Sequence, residues 1–407
     1  MRASPRLTPR DHDLTMYSIV SVSACNMMGF AAVFALLPKL QDRYGLPTKG
    51  LGLITATSVI CSVLAQLVFA RFADRGHALI VMRVGIGCMC IGFAWFSVAT
   101  ELWQFALARA VVGFGGGMFT PAARRTVVSR DPARAGERLG MMVGVEVGGF
   151  VIGPPLAFAL YSLGGLRLPF LAPVLLLVVA GATLRVATSA RIASSAPTGA
   201  VRSLVARPGV RAALLIGAAA NLSIGAFEPV IAKQLHDIGA SDNATAVTLA
   251  CFALPYVFFS RFGGRLADRY GSYRTAVFSM LCTVPAIAMF GLAKSAIVIA
   301  VVGIVRSAFD TITTPSGSTA MAHAAPPALL GTGQGLYGAT ASLMTGVAAL
   351  SGASIYGAWG ARTLWFASAG SMLVLTLWTA WIARRAGVWY PTAITPALEV
   401  SADPSPV

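Results

Sequence analysis

Long apolar runs, separated by short polar breaks, follow one another along almost the whole chain. Crossing a bilayer as a helix takes roughly 20 predominantly apolar residues. Twelve runs reach that length, near 14–37, 50–70, 79–99, 102–123, 139–162, 168–187, 210–234, 244–262, 275–293, 295–320, 332–357 and 362–383. The shortest break, Ala293-Lys294-Ser295, leaves room only for a tight turn. The pattern predicts an all-α membrane protein of twelve transmembrane helices.

The basic residues give these helices a direction. With the N-terminus in the cytoplasm, 22 of the 31 Lys and Arg residues fall in cytoplasmic segments and 7 in outer ones. Cytoplasmic loops carry the excess of Lys and Arg, so both termini are expected in the cytoplasm. The two remaining basic residues, Arg109 and Arg306, lie inside spans. Residues 188–208 hold Ser, Pro and Arg without an acidic residue and read as a cytoplasmic linker near anionic lipid heads. The expected organisation is a cytoplasmic segment 1–13, a six-helix bundle 14–187, the linker, a second six-helix bundle 209–385, and a disordered cytoplasmic tail 386–407.

Composition agrees with a lipid setting. Of the 407 residues 56% are hydrophobic and 11% charged, against about 25% charged in soluble domains. The formal charge of +16 does not form a basic stripe with interleaved aromatics, which argues against nucleic acid as a partner. All six cysteines lie in apolar runs and read as small apolar fillers. Cys88-Met-Cys90 lacks metal-site spacing. The first apolar run is too long for a cleavable signal and has no small-residue cleavage site after it. No cofactor, metal or catalytic residue is expected.

An internal repeat organises the chain. GRLADRYGSYR, Gly264 to Arg274, has a weaker copy in ARFADRGHALI, Ala70 to Ile80, and the aspartates Asp268 and Asp74 are 194 residues apart. A repeat close to half the chain length on an apolar background suggests a duplicated membrane domain. Both stretches resemble motif A of the major facilitator superfamily, which that family carries in the cytoplasmic loops between helices 2 and 3 and helices 8 and 9. The upstream copy departs from the motif at Ala70 and from His77 to Ile80. The resemblance runs from about Leu14 to Arg385 and implies the fold of two pseudo-symmetric six-helix bundles, with a working monomer. Asp74, Arg75, Gly264, Asp268, Arg269, Gly271 and Arg274 are the gating candidates. Each aspartate is expected to meet loop arginines (Arg124 or Arg125 for Asp74) or the positive end of a nearby helix, shutting one face.

Charges inside a membrane are costly and mark function by default. Five lie well inside spans: Arg109, Glu146, Glu228, Arg306 and Asp310. Arg109 begins R-A-V-V-G-F-G-G-G-M, which resembles motif B of the same family, a motif associated with proton coupling. Arg has no accessible neutral form and needs a partner or water, or else serves as a fixed ion pair between helices. Gly149 to Pro154, G-x-x-x-G-P, resembles motif C, associated with proton-coupled antiporters. Its Gly149, Gly153 and Pro154 would let the helix pack closely and bend where the halves meet. Glu146, about two turns from the cytoplasmic end of the same helix, is the first candidate proton carrier; the alternative is a static bridge to Arg109. Glu228, before Pro229, could carry protons, contact a cationic substrate or face a water-filled vestibule. Arg306 and Asp310 are four apart on one helix face, either as a permanent bridge or as one that opens during transport.

Asn26, Phe30, Asn221, Phe227, Tyr256, Gln334 and Tyr337 are the candidates for lining a substrate cavity, although any one of them also fits a packing role. The resemblance implies a bacterial inner-membrane transporter that exports a small lipophilic compound in exchange for protons by alternating access. A sugar or metabolite exporter of the same fold is the nearest alternative, proton-coupled uptake the next. A receptor or scaffold without flux would need an added soluble domain or loss of the buried charges, and neither is seen.

Overall fold

The computed structural model describes residues 9–184 and 199–390. Within these residues the chain is helical, without strands. Lipid offers the backbone no hydrogen-bond partners, so each apolar run closes its bonds within itself as a helix. The N-terminal half contains α1 (Pro9–Tyr44), α2 (Thr48–Phe72), α3 (Ala78–Val98), α4 (Leu102–Arg130), α5 (Ala135–Gly164) and α6 (Leu168–Ala182). After a short α7 (Ala200–Ala206) come α8 (Pro208–Asp237), α9 (Asp242–Tyr270), α10 (Ser272–Phe290), α11 (Ala296–Ala324) and α12 (Leu330–Arg385).

Among the described residues, eight helical stretches are long and apolar enough to cross a membrane. Three of them, Gly52–Val98, Pro132–Ala182 and Pro327–Arg385, each turn at a glycine with positive φ: Gly76 (86°), Gly165 (67°) and Gly360 (78°). Only glycine adopts such a backbone without strain, so each long stretch supplies two spans. Gly360 divides α12 into a first arm, 330–359, and a second, 361–385. The helix α4, with Arg109 in its interior, completes the twelve. Local signals set the ends: Ser241 and Ser295 accept the N–H of Ala244 and Val298 at 3.3 Å, and Glu101 and Gln104 form a capping box at the start of α4.

Two apolar clusters hold the fold. One lies mainly among α1 to α6, around Phe93, Phe96, Phe105 and Phe170, and takes in Ala322 and Leu330 of the second half; the other lies in the second half, around Phe290, Met280, Trp365 and Met372. The halves meet along two seams, α5 against α9 and α2 against the first arm of α12. Large apolar side chains such as Phe258, Ile297, Leu350 and Leu175 remain exposed, which is what a surface solvated by lipid tails looks like.

Three boundaries differ from the sequence expectation. Helix α1 begins at Pro9, inside the segment expected to precede it. Residues 200–206, expected in the plain linker, are helical: Gly199 (φ 95°) starts the turn, Leu204 is fully buried, and Pro208 opens the next helix. Residues 386–390, expected in the disordered tail, cap α12 instead. Val388 donates to the Ala383 carbonyl at 3.1 Å, Gly387 takes φ 69°, and Trp389 lies 4.7 Å from the Arg384 guanidinium. The rest of the expected linker up to 198, and of the tail from 391, lies outside the described residues.

Candidate functional site

The two motif aspartates tie the halves together in the same way. The turn 73–77 between α2 and α3 carries Asp74, which is buried. Its carboxylate accepts the backbone N–H of Gly331 at 2.6 Å and of Thr332 at 2.7 Å, and the Thr332 hydroxyl at 2.7 Å. Arg125 Nε donates to it at 3.0 Å. Gly331 and Thr332 open α12, so an anion sits where the unpaired N–H groups of a helix start point. At the end of α9, Asp268 accepts the N–H of Gly136 at 2.7 Å and of Glu137 at 2.9 Å, at the start of α5. The exchange is reciprocal: a turn of each half grips a helix start of the other.

Among the described residues, the second grip has no equivalent of Arg125. Beside it, Glu137 accepts from Arg261 Nη2 at 2.6 Å and Arg265 Nη2 at 2.9 Å across the α5–α9 seam. The backbones touch there, since a Cβ on Gly264 would fall on the Gly136 carbonyl. Gly271 makes the turn after α9 at φ 91°. Arg75, Arg269 and Arg274 are exposed; the first two lie over the Phe72 and Tyr270 rings.

Glycines also set the packing of α5. Gly136, Gly140 and Gly144 face α9 of the other half, where added Cβ atoms would meet Gly264 and Ser260. Gly149 and Gly153, expected where the halves meet, face α1 of the same half instead, against the Ala24 and Met28 carbonyls. The motif glycines thus seat α5 within its bundle, and the stripe one turn earlier makes the seam. Pro154 follows inside the helix and is half-buried.

Three polar clusters lie in the interior. In the first, Glu146 of α5 is half-buried, hydrogen-bonded with Ser23 of α1 and in the field of Arg124 of α4. Tyr337 of α12, buried, lies within the field of the same arginine from the other half. A bridge from Glu146 to Arg109 is not formed. Arg109 and Arg124 are 15 residues apart on one helix, about 22 Å, and Glu146 is level with the second.

In the second cluster Arg109 is 1% exposed. Its guanidinium lies 4.2 Å from the Phe30 ring centre and 5.7 Å from that of Phe34, both on α1. None of its nitrogens has a hydrogen-bond partner among the described residues, and neither does the buried Oδ1 of Asn26, one turn before Phe30. The aromatic faces supply the attraction that an ion pair was expected to supply.

In the third, Arg306 and Asp310 of α11 form the expected i,i+4 bridge at 3.1 Å, both buried. Arg306 also donates to Ser223 at 3.1 Å and lies 4.7 Å from the Phe227 ring centre, both on α8. Tyr256 of α9 hydrogen-bonds Asp310. Phe30 and Phe227 are 197 residues apart, as are Arg109 and Arg306, so each half holds an arginine on an aromatic of its first helix.

The remaining cavity candidates do not join one site. Gln334 is buried with both amide atoms engaged by Ser318, at 2.9 and 3.2 Å. Asn221, half-buried, donates to the Gly217 carbonyl at 2.9 Å and accepts from Thr345 at 3.3 Å. The Glu228 side chain lies outside the described residues. Among the described residues no cluster of His, Cys, Asp and Glu could hold a metal ion.

The Major Facilitator Superfamily profile matches residues 19–236 and again 212–393, once in each half. The chain belongs to this superfamily. It is similar to the multidrug resistance protein MdtG of Dickeya zeae, 24% identical over 346 residues that cover 82% of this chain and 84% of that one. It is also similar to the vesicular acetylcholine transporter of Mus musculus, 26% identical over 278 residues, covering 62% of this chain and 51% of that one. Among solved structures, the fold matches the superfamily transporter FucP in its outward conformation with a TM-score of 0.72 at 16% identity, covering 90% of this chain and 98% of that one. It matches the human organic anion transporter MFSD10 with a TM-score of 0.70 at 16% identity, covering 92% and 100%. This is a multi-pass membrane transporter of twelve helices in two six-helix bundles.

Sequence reasoning missed Arg124 as the neighbour of Glu146 and Glu137 with its two arginines; it expected each aspartate at an arginine or a helix start without naming the starts at Gly136 and Gly331. A signal for the last pair was present. Gly136 and Gly331 are 195 residues apart, close to the motif offset, so the repeat itself pairs each aspartate with the opposite half.

Proposed function

We propose that this transporter exports a small lipophilic compound from the bacterial cytoplasm in exchange for protons, as a monomer in the inner membrane with both termini inside. The observation that carries the reading is Glu146, a half-buried carboxylate beside Arg124, with Tyr337 of the opposite half at the same arginine. Ionised, Glu146 is held by Arg124. Protonated, it releases that arginine and no longer attracts a cationic or polar group of the substrate. Proton and substrate therefore exclude one another at one residue, which is the requirement for exchange.

Asp74 and Asp268 act as the cytoplasmic latches in this reading. With both engaged, the cytoplasmic face is shut, and opening it means releasing two helix starts together. Gly264 and Gly271 serve the second latch by close approach and turn geometry. Arg109 and the Arg306–Asp310 pair hold the two bundles' inner helices in register with the first helix of each half, and Glu228 remains a second proton candidate. Similarity to MdtG, a multidrug resistance protein, supports a lipophilic substrate.

The test uses purified protein in vesicles with an imposed proton gradient and a panel of fluorescent lipophilic dyes. Wild type is expected to accumulate at least one dye against its gradient, and Glu146→Gln to lose accumulation while retaining dye binding. Transport that is unchanged when the proton gradient is dissipated refutes the reading.

A further inference from the structure

A groove of about 680 Å³ lies at the cytoplasmic end of the second half, and none of Glu146, Asp74 and Asp268 lines it. Its size falls within the usual range of small-molecule sites, about 300–1,000 Å³. The start of α8 contributes Arg211, Leu214 and Leu215; the end of α12 contributes Trp378, Trp381 and Arg385. No acidic residue lines it. Both arginines are exposed, and neither has an ion-pair partner among the described residues. The Arg385 guanidinium lies 4.2 Å from the Trp381 ring centre, which fixes its direction. Trp378 and Trp381 are 52% and 51% exposed.

The groove is polarised along the membrane normal. Seven residues separate Arg385 from Trp378, about 10 Å of helix. Positive charge therefore stands at the cytoplasmic mouth, with indole and leucine surface deeper in. Tryptophan favours the headgroup level, and basic pockets between spans on the cytoplasmic side recognise acidic headgroups. A soluble substrate would not need the apolar depth, and a zwitterionic lipid would bring its own cation to two unpaired guanidinium groups.

We infer that this groove is a binding site for an anionic phospholipid of the cytoplasmic leaflet, its phosphate between Arg211 and Arg385 and its upper acyl chains along Leu214, Leu215 and Trp378. Bound there, the lipid joins the first turn of α8 to the last turn of α12.

The experiment measures binding and thermal unfolding of the full chain in detergent. The probes are phosphatidylglycerol, phosphatidylcholine with the same acyl chains, and soluble glycerol phosphate. Phosphatidylglycerol is expected to raise the unfolding midpoint of wild type, and the other two to leave it. Arg211→Gln/Arg385→Gln is expected to bind phosphatidylglycerol about thirtyfold more weakly, the loss of two basic contacts at an anionic surface. Arg71→Gln/Arg134→Gln, which removes the same charge from the other half, is expected to bind it as wild type does. An equal response to phosphatidylcholine, an equal loss in both double variants, or full stabilisation by glycerol phosphate overturns the assignment. Should the first double variant fail to fold, wild type taken from vesicles of equal phosphatidylglycerol and phosphatidylcholine is weighed intact. Retained phosphatidylglycerol supports the site, and equal retention of both lipids sinks it.

Discussion

Asp74→Asn tests whether the reciprocal grips hold one face of the transporter shut. The substitution keeps the shape of the side chain and removes its charge. It also replaces one acceptor by an amide donor, which then faces donors: the N–H groups of Gly331 and Thr332, the Thr332 hydroxyl and Arg125 Nε. Two estimates bound the loss. Interhelical polar contacts in a membrane average about 0.6 kcal/mol, so four give about 2.4 kcal/mol. Breaking a buried ion pair on one side costs about 3–5 kcal/mol, and Arg125 is 7% exposed. A loss of about 2–5 kcal/mol shifts the latched-to-open equilibrium by about 30- to 3,000-fold, at 1.4 kcal/mol per factor of ten. Asp268→Asn removes two backbone contacts and strands no cation, so about 1–2 kcal/mol is expected on the same scale. The assay is hydrogen–deuterium exchange at residues 331–334 and 136–139 in both variants. Asp74→Asn is expected to speed exchange at the start of α12 by the larger factor. Unchanged protection there, or a larger effect from Asp268→Asn, refutes the idea that charge at these helix starts closes the face.

Two further substitutions separate stability from transport. Arg109→Met replaces an unpaired buried guanidinium by an apolar chain of similar length. It is expected to be neutral or stabilising by about 1–3 kcal/mol, read as an unchanged or raised unfolding midpoint, while transport falls; a clear drop in the midpoint would show that the Phe30 stack outweighs burial of the charge. Asp310→Asn leaves Arg306 buried without its carboxylate and is expected to destabilise by about 3–5 kcal/mol, whereas Arg306→Met/Asp310→Leu recovers most of that. A double variant as unstable as the single one would mean that the bridge itself is what stabilises α11.

Much of the fold was legible because lipid leaves the backbone few choices. Apolar length marks out the twelve helices before any contact is known. The ends were harder: Leu204 gives 200–206 an anchor, and Trp389 gives 386–390 one, through single contacts that composition does not register. The charged interior was legible residue by residue but not pair by pair. Glu146 was matched to Arg109 by type, although the turn at 131–134 already sets their depths. Helices α4 and α5 run in opposite directions on either side of that turn, so Glu146 stands level with Arg124.

The same counting explains why the two halves are not copies in their chemistry. An offset of 197 carries Phe30 to Phe227, Asn26 to Ser223 and Arg109 to Arg306, and it carries Gly113 to Asp310. In the second half the arginine therefore has a carboxylate one turn away and a hydroxyl from α8. In the first half that carboxylate position is a glycine, and a Cβ there would meet the Ser58 carbonyl of α2. Close approach of α2 and α4 thus excludes a side chain at the position that carries the carboxylate partner of the arginine in the second half. The charge is left to the faces of Phe30 and Phe34, which attract it from one direction only. The first half is thus the one whose buried arginine has no carboxylate beside it, and it is also the half that carries Glu146.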